Sequence, residues 1–83
     1  MSILQYPVAT EKALNLVERE NVITYVVDIG AGKPEIKKEF ESTFKVKVIG
    51  INTVRTPYNR KRAYIRLTKE FPASEIAKRL KLV

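Results

Sequence analysis

The residues Arg62 to Leu67 alternate strictly. Ala63, Ile65 and Leu67 fall on one side of an extended chain and Arg62, Tyr64 and Arg66 on the other, because successive strand side chains face opposite ways. A segment with this pattern lies on a core and shows the other face outward. That outward face carries guanidinium, aromatic ring and guanidinium, and this pattern restricts both the fold and the chemistry. Upstream, an extended run around Ile51 to Thr56 is separated from Ala63 to Thr68 by Pro57-Tyr58-Asn59. Proline presets one dihedral of that turn and asparagine tolerates a left-handed one. The two arms form a β-hairpin.

From Asn52 to Lys69 there are Arg55, Arg60, Lys61, Arg62, Arg66 and Lys69, without one acidic residue, and Tyr58 and Tyr64 lie among them. Residues 1–30 carry Lys12 and Arg19 against Glu11, Glu18, Glu20 and Asp28, a net of −2, so residues 31–83 carry +9 and the whole chain is +7. A regional excess of this kind favours a polyanionic partner, with nucleic acid ahead of an anionic membrane surface. The bland alternative is a solvated sheet face with Tyr64 covering apolar surface.

The rest of the chain supplies the elements around this hairpin. Ser2 to Val8, with Pro7 near its end, reads as a first strand, at an edge because proline cannot donate to a ladder. Thr10 is a helix N-cap and Glu11 lies near the positive dipole end; Ala13, Leu14 and Val17 recur at helical spacing until Asn21. Val22 to Ile29 is rich in β-branched residues and reads as a central strand. After Gly30-Ala31-Gly32, Pro34 opens a second helix, in which Ile36, Phe40 and Phe44 form one stripe. Lys45 to Val48 alternates as a strand, and Ile49 beside Gly50 breaks the phase, the mark of a bulge. A last helix starts at Pro72 and Ser74, with Ala73, Ile76, Ala77 and Leu80 on one side.

The expected fold is α+β: a small α/β sandwich, strand-helix-strand-helix-strand-strand, with a mostly antiparallel four-stranded sheet and a C-terminal helix. With 83 residues, the whole of 1–83 reads as one domain.

Catalysis lacks its usual groups. There is no histidine and no cysteine, which removes the common general base, the commonest metal ligand and the strongest nucleophile. Glu35, Glu39 and Glu41 alternate with lysines as solvated ion pairs on a helix face. Gly30-Ala31-Gly32-Lys33 lacks the long loop and the Lys-Ser/Thr ending of a P-loop. No catalytic residue, cofactor or metal is expected. No apolar run nears the roughly 20 residues needed to cross a bilayer, and the start is not a signal peptide. The basic helix Ala73 to Leu82 has too small an apolar side to lie on lipid. The reading is a cytoplasmic protein that is not an enzyme and touches neither membrane nor DNA.

Four stretches point further. Pro7-Val8-Ala9-Thr10-Glu11-Lys12, Lys33-Pro34-Glu35-Ile36-Lys37, Phe44 to Val48 with Ile51-Asn52-Thr53, and Lys61-Arg62-Ala63-Tyr64-Ile65-Arg66-Leu67 occur in one order and spacing. In these the chain resembles the family of ribosomal protein twenty-three of the large subunit. The resemblance covers nearly the whole chain. It implies a structural constituent of the large subunit that binds the third domain of large-subunit rRNA beside the polypeptide exit tunnel. It also implies a neighbour, the small helical ribosomal protein twenty-nine, and a docking site for nascent-chain factors. In bacterial members the glutamate matching Glu11 docks trigger factor. Bacterial relatives also carry a long loop toward the tunnel, whereas Thr56 to Lys61 allows only a short turn. The chain resembles the archaeal short form, without the eukaryotic N-terminal extension, and for that form signal recognition particle is the expected partner.

Arg55, Arg60, Lys61, Arg62 and Arg66 are thus expected on phosphates, with Tyr58 or Tyr64 stacking on a base or sugar. Lys12, Lys33, Lys37, Asn52 and Thr53 are contacts implied by the resemblance, and Asn59 joins them from the hairpin turn. Two rivals are weighed. An RNA-recognition motif needs glycine and more aromatics than Lys61 to Leu67 supplies. A small-molecule-sensing regulatory domain with a similar sandwich requires a ligand pocket and ligand-dependent dimerisation.

Overall fold

The computed structural model describes residues 3–81. The parts of the sequence reading that fall on Ser2 and Leu82 lie outside them. In chain order the elements are β1 (Leu4–Pro7), α1 (Glu11–Glu20), β2 (Val22–Val27), α2 (Lys33–Phe44), β3 (Val48–Thr56), β4 (Arg60–Leu67) and α3 (Ala73–Arg79). The sheet order is β1-β2-β4-β3, and all three ladders are antiparallel. The proline-bearing β1 lies at an edge, where its missing N–H costs nothing. The expected α+β sandwich with a C-terminal helix is the observed one.

β2 is buried along its whole length, which is why its sequence shows no alternation. Its Ile23, Tyr25 and Val27 join Ile36, Phe40, Ala63, Ile65 and Ile76 in the main core. Val26, from the opposite face of β2, packs with Val8 and with Ala13 of α1. The strand is therefore covered on both sides. Tyr25 meets Phe40 edge-on, with ring centroids 6.3 Å apart, and Phe44 at 6.4 Å, a geometry that aligns ring edges with ring faces. Burial pushes the Tyr25 hydroxyl above its ordinary range, because the phenolate would lose its hydration.

α1 starts as the sequence requires. Thr10 is extended, and its hydroxyl accepts the Ala13 N–H at 3.2 Å. The helix ends at Asn21, whose φ of 57° is left-handed. α2 begins with Pro34 in its first turn, and Ile36 and Phe40 are fully buried while Phe44 is half-buried.

Several boundaries move. Lys45 is no strand residue: it caps α2 with φ 54°, and β3 starts only at Val48. Lys45 to Val48 alternates because Val46 and Val48 both reach the core, one from a loop and one from the strand. β2 ends at Val27 rather than Ile29, since the turn over Asp28 to Ala31 is closed by the Ala31 N–H on the Asp28 carbonyl. β4 begins at Arg60, three residues earlier than the alternation of Ala63 to Thr68 marks. The ladder between β3 and β4 shifts register between Val48 and Gly50, so the expected bulge lies at Ile49. Glu41 is not a solvated ion-pair partner: its Oε2 accepts the Val48 N–H at 2.9 Å and ties the start of β3 to α2.

Candidate nucleic-acid interface

The hairpin has the predicted turn. Pro57, Tyr58 and Asn59 connect the arms, with Asn59 at φ 57°, and the Thr56 hydroxyl donates to the Arg60 carbonyl at 3.2 Å. Tyr58 stands at the tip, 85% exposed.

Register sorts the basic residues into two groups, because directly paired residues share a face. Ala63, Ile65 and Leu67 are buried, so the even-numbered positions of β4 face away from the main core. These are Arg60, Arg62, Tyr64 and Arg66. Asn52 pairs with Tyr64 and joins them. From β1, Tyr6 pairs with Val26 on this same face. The Arg60 guanidinium donates to the Tyr6 hydroxyl and lies 5.8 Å from the Tyr6 ring centroid. Lys12 reaches the group from α1, lining with Arg62, Tyr64 and Thr24 a small cavity of about 60 Å³. The buried Thr24 hydroxyl has no protein partner there.

The second group lies on the other side of the sheet. Lys61 pairs with Arg55, and Thr53 with the buried Ala63. Lys61 is half-buried, and its Nζ donates to the Ala31 carbonyl at 2.9 Å, next to the start of α2. Lys33 and Lys37 are exposed on that helix. The structure thus separates Lys61 from Arg62, its chain neighbour, by the thickness of the sheet.

Not every cation is free. Arg66 Nη2 lies 3.3 Å from Glu20 Oε1, the ion pair among the described residues, with both side chains about half exposed. Glu11 is exposed as the first residue of α1. Tyr6 is the residue that sequence reasoning missed. It lies outside the basic run, and only the aromatic type in a first strand beside Pro7 could have marked it.

Among the described residues no group of His, Cys, Asp or Glu could hold a metal ion, and no helix is long and apolar enough to cross a membrane.

This face can meet phosphates with three guanidiniums and bases with tyrosine rings, and comparison with known proteins bears on what it serves. The family described as "Ribosomal protein L23" matches residues 2–78. The chain belongs to the ribosomal protein L23 family. "Large ribosomal subunit protein uL23" of Pyrobaculum aerophilum is 49% identical over 73 residues, which are 88% of this chain and 90% of that protein. The protein of the same name from Trypanosoma brucei brucei is 40% identical over 81 residues, 98% of this chain but 49% of that protein. As a member of the L23 family the chain is a structural component of the large ribosomal subunit rather than an enzyme, and its place is the ribosome.

Proposed function

We propose that this L23-family chain binds large-subunit rRNA directly, in its third domain beside the exit tunnel, through the sheet face of Arg60, Arg62, Tyr64 and Arg66. The observation that carries the reading is the strict segregation over Arg62 to Leu67 of β4: Ala63, Ile65 and Leu67 are core and the residues between are cations and a tyrosine. Phosphate contacts fix position on a folded RNA, and rings accept bases that the RNA splays out. Asn52, Tyr58 and Asn59 extend this face toward β3 and the hairpin tip, and Lys12 extends it toward α1. Lys33, Lys37, Arg55, Lys61 and Thr53 form a second contact surface on the α2 side, suited to RNA that wraps around the sheet edge.

The exposed Glu11 is the docking residue for a nascent-chain factor, with signal recognition particle as the partner, and the small helical ribosomal protein twenty-nine is a neighbour at the same site. The exposure of Glu11 beyond the Thr10 cap supports this reading. Glu11→Gln in assembled subunits lowers capture of signal recognition particle while subunit assembly is unchanged.

The test of RNA binding is titration of the purified protein with a third-domain rRNA fragment and with an unrelated structured RNA of equal length, across salt. Selective binding that persists at high salt is expected. Equal and steeply salt-sensitive binding to both would reduce the face to a generic basic surface.

A further inference from the structure

At the end of the cationic face formed by β1 and the hairpin tip lies an open concavity of about 680 Å³. Its walls are Tyr6, Tyr58, Arg60 and Arg62, and Val8 and Val26 contribute apolar surface. The volume falls in the range of about 300–1,000 Å³ typical of sites for small organic groups. Among the described residues, no acidic one lines it.

We propose that this concavity is a subsite for one unstacked ribonucleotide, with its base against the rings of Tyr6 and Tyr58 and its phosphate on Arg62. The inference rests on the rRNA-binding reading above and adds to it a subsite and a new residue, Tyr6. Three observations converge. Tyr58 exposes 85% of its surface and shares the concavity with Tyr6 and two guanidiniums, which leaves its ring open for a base to stack on. Tyr6, 42% exposed, is held by Arg60 at both its hydroxyl and its ring, so its platform is oriented before any ligand arrives. Among the described residues, cations and an apolar wall occur together without a carboxylate, which matches a ligand that is both planar and anionic. A bare phosphate leaves the rings and Val26 unused. A neutral peptide leaves both guanidiniums unused.

Stacking and charge separate by experiment. Replacing Tyr6 or Tyr58 by leucine removes a ring without changing charge. Each change is expected to weaken binding of the third-domain fragment about 5- to 150-fold, the range for loss of one stacked base, with the slope of log affinity against log salt unchanged. Phenylalanine at either position retains most of the affinity. Arg62→Ala instead flattens the slope. A direct readout comes from the full chain labelled with fluorotyrosine: the ¹⁹F signals of Tyr6 and Tyr58 move upfield in the RNA complex by ring current, while that of buried Tyr25 stays. Unchanged affinity for both leucine variants and unmoved ¹⁹F signals, with the parent still selecting the fragment, overturn the subsite and leave the rRNA reading standing. A parent protein that does not select the fragment overturns both. Signals that move with an acidic peptide but not with RNA make the concavity a protein site and equally overturn the proposal.

Discussion

The Oδ1 of Asn21 accepts the backbone N–H of Ala73, the first residue of α3, across 52 positions of chain. The N-cap residue of α3, Pro72, makes no side-chain cap hydrogen bond, so a residue at the end of α1 supplies one. The Nδ2 of Asn21 donates to the carbonyls of Leu67, Thr68 and Phe71, at 3.1, 3.0 and 3.3 Å. One amide thus joins the end of α1, the end of β4 and the start of α3. Its left-handed backbone adds a further demand that few residues meet.

Asn21→Ala removes these bonds from the partly buried Leu67, Thr68 and Phe71 carbonyls and from the Ala73 N–H, and strains the left-handed position. A destabilisation of about 2–4 kcal/mol is expected from the missing cap and unsatisfied groups together. Asn21→Gly relieves only the backbone strain and remains less stable than the parent. Urea unfolding midpoints of the two variants check the order, and a glycine variant as stable as the parent would show that the hydrogen bonds contribute nothing.

Phe40 is fully buried and touches both Tyr25 and Phe44, with the Phe44 ring centroid 4.6 Å away. Phe40→Ala costs about 3–5 kcal/mol, a large share of the roughly 5–15 kcal/mol typical of a whole native protein. The isolated variant is expected to lose its cooperative thermal transition in circular dichroism. A sharp transition near the parent temperature would contradict the central place given to this ring.

Lys61 and Arg62 differ in their effect on stability. Lys61→Met removes the bond to the Ala31 carbonyl and lowers stability by about 0.5–1.5 kcal/mol. Arg62→Ala acts chiefly on RNA: the slope of log affinity against log salt flattens by about 0.7–0.9 for each phosphate no longer neutralised. Denaturation and salt titration on both variants provide the comparison, and an Arg62→Ala protein with the parent's slope takes Arg62 out of the interface.

Glu20 holds Arg66 in a half-exposed ion pair. Pairs of this kind contribute about 0–1 kcal/mol. Glu20→Gln therefore leaves stability nearly unchanged and releases the guanidinium, so RNA affinity rises and its salt dependence steepens. Arg66→Ala in the same background abolishes the gain. Fluorescence anisotropy with labelled RNA reads both effects, and a gain that survives removal of the Arg66 guanidinium would show that the ion pair does not restrain RNA binding.

Local chemistry made much of this protein legible in its sequence. Thr10, Pro34 and Asn59 act through dihedrals and hydrogen bonds to near neighbours, and the stripe of Ile36, Phe40 and Phe44 follows from helical period alone. The alternation in β4 determined which residues are core and which face outward. Those signals span a few residues, so the chain order of types carries them whole.

What the order of residues did not decide depends on pairing between distant strands. Register matched Arg55 with Lys61 and Asn52 with Tyr64, pairings that nothing within the basic run marks. Lys45 and Val46 alternated like a strand, yet the left-handed cap of α2 kept them out of the sheet. Asn21 read as a helix stop because its three carbonyl partners lie 46 to 50 residues away. Tyr6 joined the cationic sheet face only because β1 pairs with β2 and β2 with β4, which carries a ring from the first strand to the guanidinium of Arg60. Side-chain type and period are properties of a segment, whereas register, long-range capping and the shape of the groove exist only once the segments are brought together.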